Sequence, residues 1–306
     1  MCSNLISNLA PTPLEEWVPF HSKERKIYVK YEHLNPTGSL KDRMVGYVLS
    51  RSIEKGLLRQ GMTIVEASSG NTGAALAHAA AQIGFATIIF TAASTAKEKI
   101  SAIKELGGDV RVVETSKEAG EEIRQAKSRG QKLGYFYFNQ FENPFHVEAY
   151  ESSLAEEIVT DLTKKKITVD TFLSGLGTGA SLLAVGRKLK SANPNLKIYA
   201  VSPSRVPTDI EGLHPGHLVR GGHFKIWRER PRGFENDVLF VDDKDAYSKA
   251  IEIKERTSVS VGPATGASLH AALKLPAPGN VLIIATDAGH KYGEKYASWL
   301  ARNQKS

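Results

Sequence analysis

The stretch TIVEASSGNTGAALAHAAAQIG, residues 63–84, decides the class of fold. It opens on a β-branched run, TIVEAS (63–68), breaks at a glycine-containing turn and continues as an alanine-rich helical stretch. A strand that feeds a helix through a tight turn is the repeating unit of a parallel α/β sheet. The unit recurs along the chain. ATIIFTA (86–92) precedes AKEKISAIKELGG, in which Gly107 and Gly108 mark a helix stop. VRVVET (110–115) precedes another helical stretch, and TVDTFLSGL (168–176) precedes GASLLAVGRKLKSA. KIYAVS (197–202), VLFVDD (238–243) and VLIIATD (281–287) complete the set.

The pattern falls into two blocks, roughly 36–150 and 151–306, with the aromatic, turn-rich YFYFNQFENPFH as the crossing segment between them. Residues 203–237 combine Pro, Gly, His and Arg with little periodicity and are expected to form a long functional loop region. The 306 residues are 41% hydrophobic and 24% charged, values that allow a sizeable core. The longest apolar runs reach about half of what a bilayer span requires, so no membrane partner is expected. The N-terminal segment lacks the basic start and apolar middle of a signal peptide. With Cys2 as the single cysteine, no intramolecular disulfide can form, which points to a reducing cytoplasm. The net charge of +7 is spread along the chain, KKK at 164–166 being the one compact run. No nucleic-acid-binding spacing accompanies it, so a solvated basic surface is expected and no nucleic acid partner.

Ligands of parallel α/β folds gather where strands end and helices begin. Three glycine-rich junctions stand there: ASSGNTG (67–73), GLGTGAS (175–181) and VGPATGAS (261–268). Each presents backbone N–H groups at a helix start, a setting for carboxylate or phosphate. GLGTGA also fits the loose dinucleotide pattern, but the following strand, KIYAVSPS, lacks the acidic residue that would hold a ribose. A further segment, NPTGSLKDR (35–43), sets Lys41 just past a tight turn. Ser39 is expected to cap the helix there, with Asp42 completing a form of capping box. Lys41 then lies in the first turn, where the helix dipole disfavours its protonated form and keeps an amine available. No competing nucleophile is evident, and the densest histidines, His214, His217 and His223, show no metal-ligand spacing, so no metal is expected.

Together these segments resemble the fold-type II pyridoxal-phosphate enzymes, specifically the cysteine synthase and cystathionine β-synthase family. TPL (12–14), KYEHLNPTGSLKDR (30–43), SSGNTG (68–73), NQFENP (139–144), GLGTGAS, IEGLHPG (210–216) and DAGHKY (287–292) match the family's motifs in order over nearly the whole chain. The resemblance implies a tryptophan synthase β-like α/β architecture of two domains, each an open, mostly parallel twisted sheet flanked by helices. The smaller, mobile domain would span 36–150, and the larger, phosphate-binding one 1–35 plus 151–306. Pyridoxal 5'-phosphate is the implied cofactor. Lys41 would join its aldehyde as an imine and move the substrate's α-proton. Asn71 would bond the ring oxygen, and Gly177, Thr178, Gly179, Ala180 and Ser181 would surround the phosphate. Ser68, Ser69, Thr72 and Gln140 would hold the substrate carboxylate, and Gly212 belongs to the loop that closes over the site.

The implied reaction is β-replacement. An activated serine (O-acetylserine, O-phosphoserine or serine) loses its Cβ substituent to give an aminoacrylate, and a small nucleophile adds to make cysteine or a related β-substituted alanine. β-Elimination of the serine/threonine dehydratase or cysteine desulfhydrase type, or racemisation, is the alternative on the same fold. Lys41, Asn71 and the phosphate loop together argue against a non-catalytic binding protein. A homodimer is implied, as is a bare catalytic core without haem or regulatory extensions. Three departures from the family pattern stand out. Ala180 replaces a usual glycine, and Ala264 falls where relatives place the serine that meets the pyridine nitrogen, leaving Thr265 as the substitute. AYESSLAEEI replaces the usual H-x-x-T-G-P-E-I run, which leaves room for a specialised biosynthetic homologue.

Overall fold

The computed structural model describes residues 9–114, 120–213, 225–276 and 278–303. In chain order its elements are Leu14–Glu16 (β1), Arg25–Lys30 (β2), Lys41–Glu54 (α1), Thr63–Ala67 (β3), Asn71–Gln82 (α2), Ala86–Ala92 (β4), Lys97–Glu105 (α3), Asp109–Val113 (β5), Glu121–Gly130 (α4), Tyr135–Tyr137 (β6) and Phe145–Tyr150 (α5). After one wide turn, Glu151–Ala155, follow Glu156–Lys165 (α6), Thr171–Gly175 (β7), Ala180–Ala192 (α7), Lys197–Pro203 (β8), Asp237–Val241 (β9), Asp243–Thr257 (α8), Pro263–Lys274 (α9), Gly279–Ile284 (β10) and Gly293–Asn303 (α10). The chain divides into two compact units, one built on Asn35–Ala149 and the other on Pro11–Leu34 with the chain from Tyr150 onward.

The first unit carries a four-stranded, wholly parallel sheet in the order β5-β4-β3-β6. Val65, Ala67, Phe90, Val113 and Ala126 form its core cluster. The alanines of α2 are explained by close packing. A β-carbon on Gly73 would stand 3.0 Å from Ile103 and 3.2 Å from Ile89, and Ala75, Leu76, Ala77 and Ala80 are buried. Larger side chains on this helix would force it off the sheet. Helix α3 ends as its two glycines require: Gly107, at φ 94°, and Gly108 send their amides back to the carbonyls of Lys104 and Ile103.

The second unit holds six strands in the order β1-β2-β10-β7-β8-β9, parallel except for the β1–β2 pair. β1, β2 and the short β6 were not evident as strands in the sequence. The reason is plainest at β2, RKIYVK, whose last residue is a fully buried lysine. The Lys30 ammonium donates to the Thr12 carbonyl at 2.6 Å and to Asp161 at 2.9 Å, and stands 3.1 Å from Glu157. The Thr12 hydroxyl donates in turn to Glu32 at 2.6 Å. The TPL segment thus serves as a structural tie, fastening the first strands of the unit to α6.

Removing the ammonium leaves a carbonyl and two half-buried carboxylates facing one another. Lys30→Ala should therefore lower stability by about 2 kcal/mol, more than a surface ion pair is worth. The check is the urea midpoint, which should fall while the slope stays constant.

Candidate active site

In the first unit Lys41 is the first residue of α1. The expected capping box is not formed. The N-cap is Leu40, in helical geometry and without a side-chain cap. Ser39 instead accepts the Lys41 N–H through its hydroxyl oxygen at 3.3 Å, and Asp42 turns back to Thr37, accepting its N–H at 3.1 Å and its hydroxyl at 2.9 Å. Asp42 prefers Thr37 because that residue offers two donors where the Ser39 main chain offers one. The outcome for Lys41 is a rigid turn with the lysine at the helix start.

The SSGNTG loop follows β3 and opens α2 at Asn71, whose N-cap Gly70 supplies no side chain. Ser68 is buried, and its oxygen accepts the N–H groups of Gly73 at 3.0 Å and Gly70 at 3.3 Å, so its own proton is directed elsewhere. Thr72 donates to the Gln140 side-chain oxygen at 2.7 Å, and the Gln140 amide nitrogen donates to the Ala67 carbonyl at 2.7 Å. Ser68, Thr72 and Gln140 are therefore brought together, whereas Ser69 stands exposed on the loop.

Three groups join this region that sequence reasoning missed. Glu66, fully buried at the end of β3, accepts the Ala67 N–H at 2.7 Å and the Gln140 N–H at 3.0 Å. Burial pushes its pKa up to about 8, against the pull of the Ala67, Gln140 and Asn139 main chain. The Lys99 ammonium lies 3.9 Å from where a β-carbon on Gly70 would be, adding positive charge beside the loop. His146 is fully buried beside the Phe138 ring. Burial and then the Lys41 charge push its pKa down to about 3. A glutamate inside the apolar run TIVEA was the one signal the sequence offered, since strand interiors rarely hold an unpaired acid.

In the second unit GLGTGAS joins β7 to α7. Gly179, at φ 86°, is the N-cap of α7, and no side chain caps that end. A β-carbon on Gly179 would come within 2.9 Å of Trp227, and one on Gly177 within 2.8 Å of the Gly212 carbonyl. Thr178 is buried, and Ala180 is the first helical residue, its methyl enclosed by protein. Gly212 is itself left-handed at φ 82°. His214, Pro215 and Gly216 of the IEGLHPG motif, with His217 and His223, lie outside the described residues. In the third junction, Thr265 is fully buried and its oxygen accepts the Thr286 N–H at 3.2 Å, while Ala264 offers no polar side-chain atom. DAGHKY is the brace behind it. Tyr292 donates to Asp287 at 2.5 Å, and the Gly262 N–H reaches the Asp287 carbonyl at 2.9 Å. A β-carbon on Gly289 would strike Ser260 at 2.3 Å.

The model of the pyridoxal-phosphate dependent enzyme family matches residues 6–287. The chain belongs to that family. A cysteine synthase of Staphylococcus aureus is 31% identical to this pyridoxal-phosphate enzyme over 250 residues, 81% of this chain and 80% of the relative. Among solved structures, O-ureido-L-serine synthase superposes with a TM-score of 0.85 at 27% identity, covering 95% of this chain and 92% of that one. The O-acetylserine dependent cystathionine β-synthase from Helicobacter pylori gives 0.81 at 27% identity, covering 95% and 96%.

The residues present suit the cofactor. A β-carbon on Gly175, Gly177 or Gly179 would strike Leu213, the Gly212 carbonyl or Trp227, and the amides at the start of α7, which no side chain caps, have the chemistry to receive a phosphate. In the first unit, Lys41 is a side chain of the kind that forms an imine with an aldehyde.

His146 supplies a pH test of this geometry. Its folded pKa, about 3, lies below the ordinary 6.5. Between those values the unfolded chain takes up a proton that the folded chain refuses, so stability falls as pH drops through that window. The slope contributed by one such proton is about 1.4 kcal/mol per pH unit. His146→Phe should flatten the acid side of the urea-midpoint profile relative to the parent.

Proposed function

We propose that this pyridoxal-phosphate enzyme catalyses β-replacement, converting an activated serine and a small nucleophile into cysteine or a related β-substituted alanine. The observation that carries the reading is the first unit's pairing of a helix-start lysine with a hydroxyl- and amide-lined loop tied to Gln140. The names of the similar proteins support it, because cysteine, O-ureido-serine and cystathionine are all alanines substituted at Cβ. The donor is O-acetylserine, O-phosphoserine or serine, and sulfide is the simplest acceptor.

Bound pyridoxal phosphate supplies the electron sink that makes the α-carbon of an amino acid acidic. The protein's own residues do the rest. Lys41 would be the amine that holds the cofactor and, at the start of α1, the group that takes the substrate's α-proton. The Ser68 proton and the amides at the start of α2 receive the substrate carboxylate, with Ser69, Thr72 and Gln140 completing that site. Asn71 directs its amide to the cofactor's ring oxygen. Gly177, Thr178, Gly179, Ala180 and Ser181 hold the phosphate, and Thr265, which still has a proton to donate, takes the place of the serine missing at Ala264. Gly212 belongs to the loop that shields the substrate. A homodimer working in a reducing cytoplasm, with no metal, nucleic acid or membrane partner, completes the proposal.

The test is product analysis on the cofactor-loaded protein. O-acetyl-L-serine with sulfide should yield cysteine and acetate. Pyruvate and ammonia, formed at the same rate with and without sulfide, would reassign the protein to β-elimination. Lys41→Ala should fold, as judged by circular dichroism, and lose turnover by at least about a thousandfold, the scale of a removed covalent and general-base group.

A further inference from the structure

Glu66 is a fully buried acid of the first unit that the proposed chemistry leaves unused, and its setting is unusual. It sits in the interior of a parallel sheet, where an apolar side chain is at no disadvantage and a carboxyl is heavily penalised unless its oxygens are satisfied. Successive strand residues point to opposite faces, so Glu66 lies across the sheet from Val65 and Ala67, which belong to the core cluster. Both oxygens are satisfied, and by main chain alone. One takes the N–H of Ala67, the residue that begins the loop; the other takes the N–H of Gln140, 74 positions away.

The recipients are the two halves of the carboxylate site. Gln140 is then fastened a second and third time, its side-chain nitrogen to the Ala67 carbonyl and its oxygen to the Thr72 hydroxyl. The result is a closed ring of hydrogen bonds, Glu66 to Gln140 to Ala67 and back to Glu66, with Thr72 fastened to Gln140 beside it. Its one acidic member touches none of the groups expected to meet ligand. The ring sets the distance between the loop and the glutamine, and only Glu66 binds the main chain of both.

We propose that Glu66 is a positioning residue for substrate-carboxylate recognition, holding Gln140 in register with the Ser68–Thr72 loop through its two main-chain hydrogen bonds. This rests on the carboxylate role proposed above for that loop. A Glu66→Gln side chain keeps the size but turns an NH₂ toward one of the two N–H groups, where a donor meets a donor. Glu66→Asp keeps the acid but is one methylene too short to reach both.

The experiment compares L-serine with L-serinamide, which keeps the α-amine and lacks the carboxylate. Each is titrated against the pyridoxal-phosphate-loaded protein while the change in visible absorbance is followed, and cofactor affinity is measured separately by equilibrium dialysis. The parent protein should bind L-serine well ahead of the amide. Both variants should take up the cofactor as the parent does, and the serine-to-serinamide preference should fall by about tenfold through weaker serine binding, the size of one lost hydrogen bond to a charged group. A general structural defect would weaken both ligands together and leave the ratio unchanged. An unchanged ratio in either folded variant overturns the positioning role. A parent protein that fails to prefer serine over serinamide overturns the carboxylate reading itself, and needs no variant to reveal it.

Discussion

The buried carboxyl of Glu66 is the constraint on which the first unit's site depends. A four-stranded parallel sheet fixes where β3 ends, and beyond the β3–β6 pairing and the Phe138 N–H to Val65 carbonyl bond a further tie holds Gln140 itself to the end of β3. Two hydrogen bonds from one side chain make that tie, at 2.7 and 3.0 Å. The acid is retained where an apolar residue would pack with less desolvation, so stability alone does not account for it. The geometry it imposes does: the Ser68 hydroxyl and the Gln140 amide are held in place, the Thr72 hydroxyl being spent on Gln140, and little ordering remains to be done when a ligand arrives.

The second unit solves a parallel problem with glycine. At Gly177 and Gly179 the chain passes so close to Gly212 and Trp227 that no β-carbon fits, and Gly179 is left-handed besides. The close approach leaves the amides at the start of α7 without a side-chain cap, the surface proposed to hold the phosphate. Behind the third junction, the Asp287–Tyr292 hydrogen bond and the tight packing of Gly262 and Gly289 hold VGPATGAS against β10. Motifs that look alike in sequence thus divide into those proposed to meet ligand and those that brace the fold. TPL and DAGHKY are braces.

Seven of the ten strands were legible because β-branched runs separated by turn residues leave little choice of structure. β2 was hidden by charge at both ends; burial of Lys30 is possible only because Thr12, Glu157 and Asp161 converge on it from distant parts of the chain. β6 is three aromatic residues long, too short for a period to show. The placement of Lys41 and the three glycine loops at helix starts was legible through their spacing. The helix start at Lys41 was misread at its cap, since the competition between Thr37 and Ser39 for Asp42 is decided by three-dimensional reach. Glu66 and His146 matter through burial, which spacing does not encode.

The central claim is that Lys41 carries the cofactor. Borohydride reduction of the protein loaded with pyridoxal phosphate, followed by peptide mapping, tests it most directly. The account predicts a single stable adduct on the peptide containing Lys41. An adduct on another lysine, with Lys41 unmodified, would contradict it.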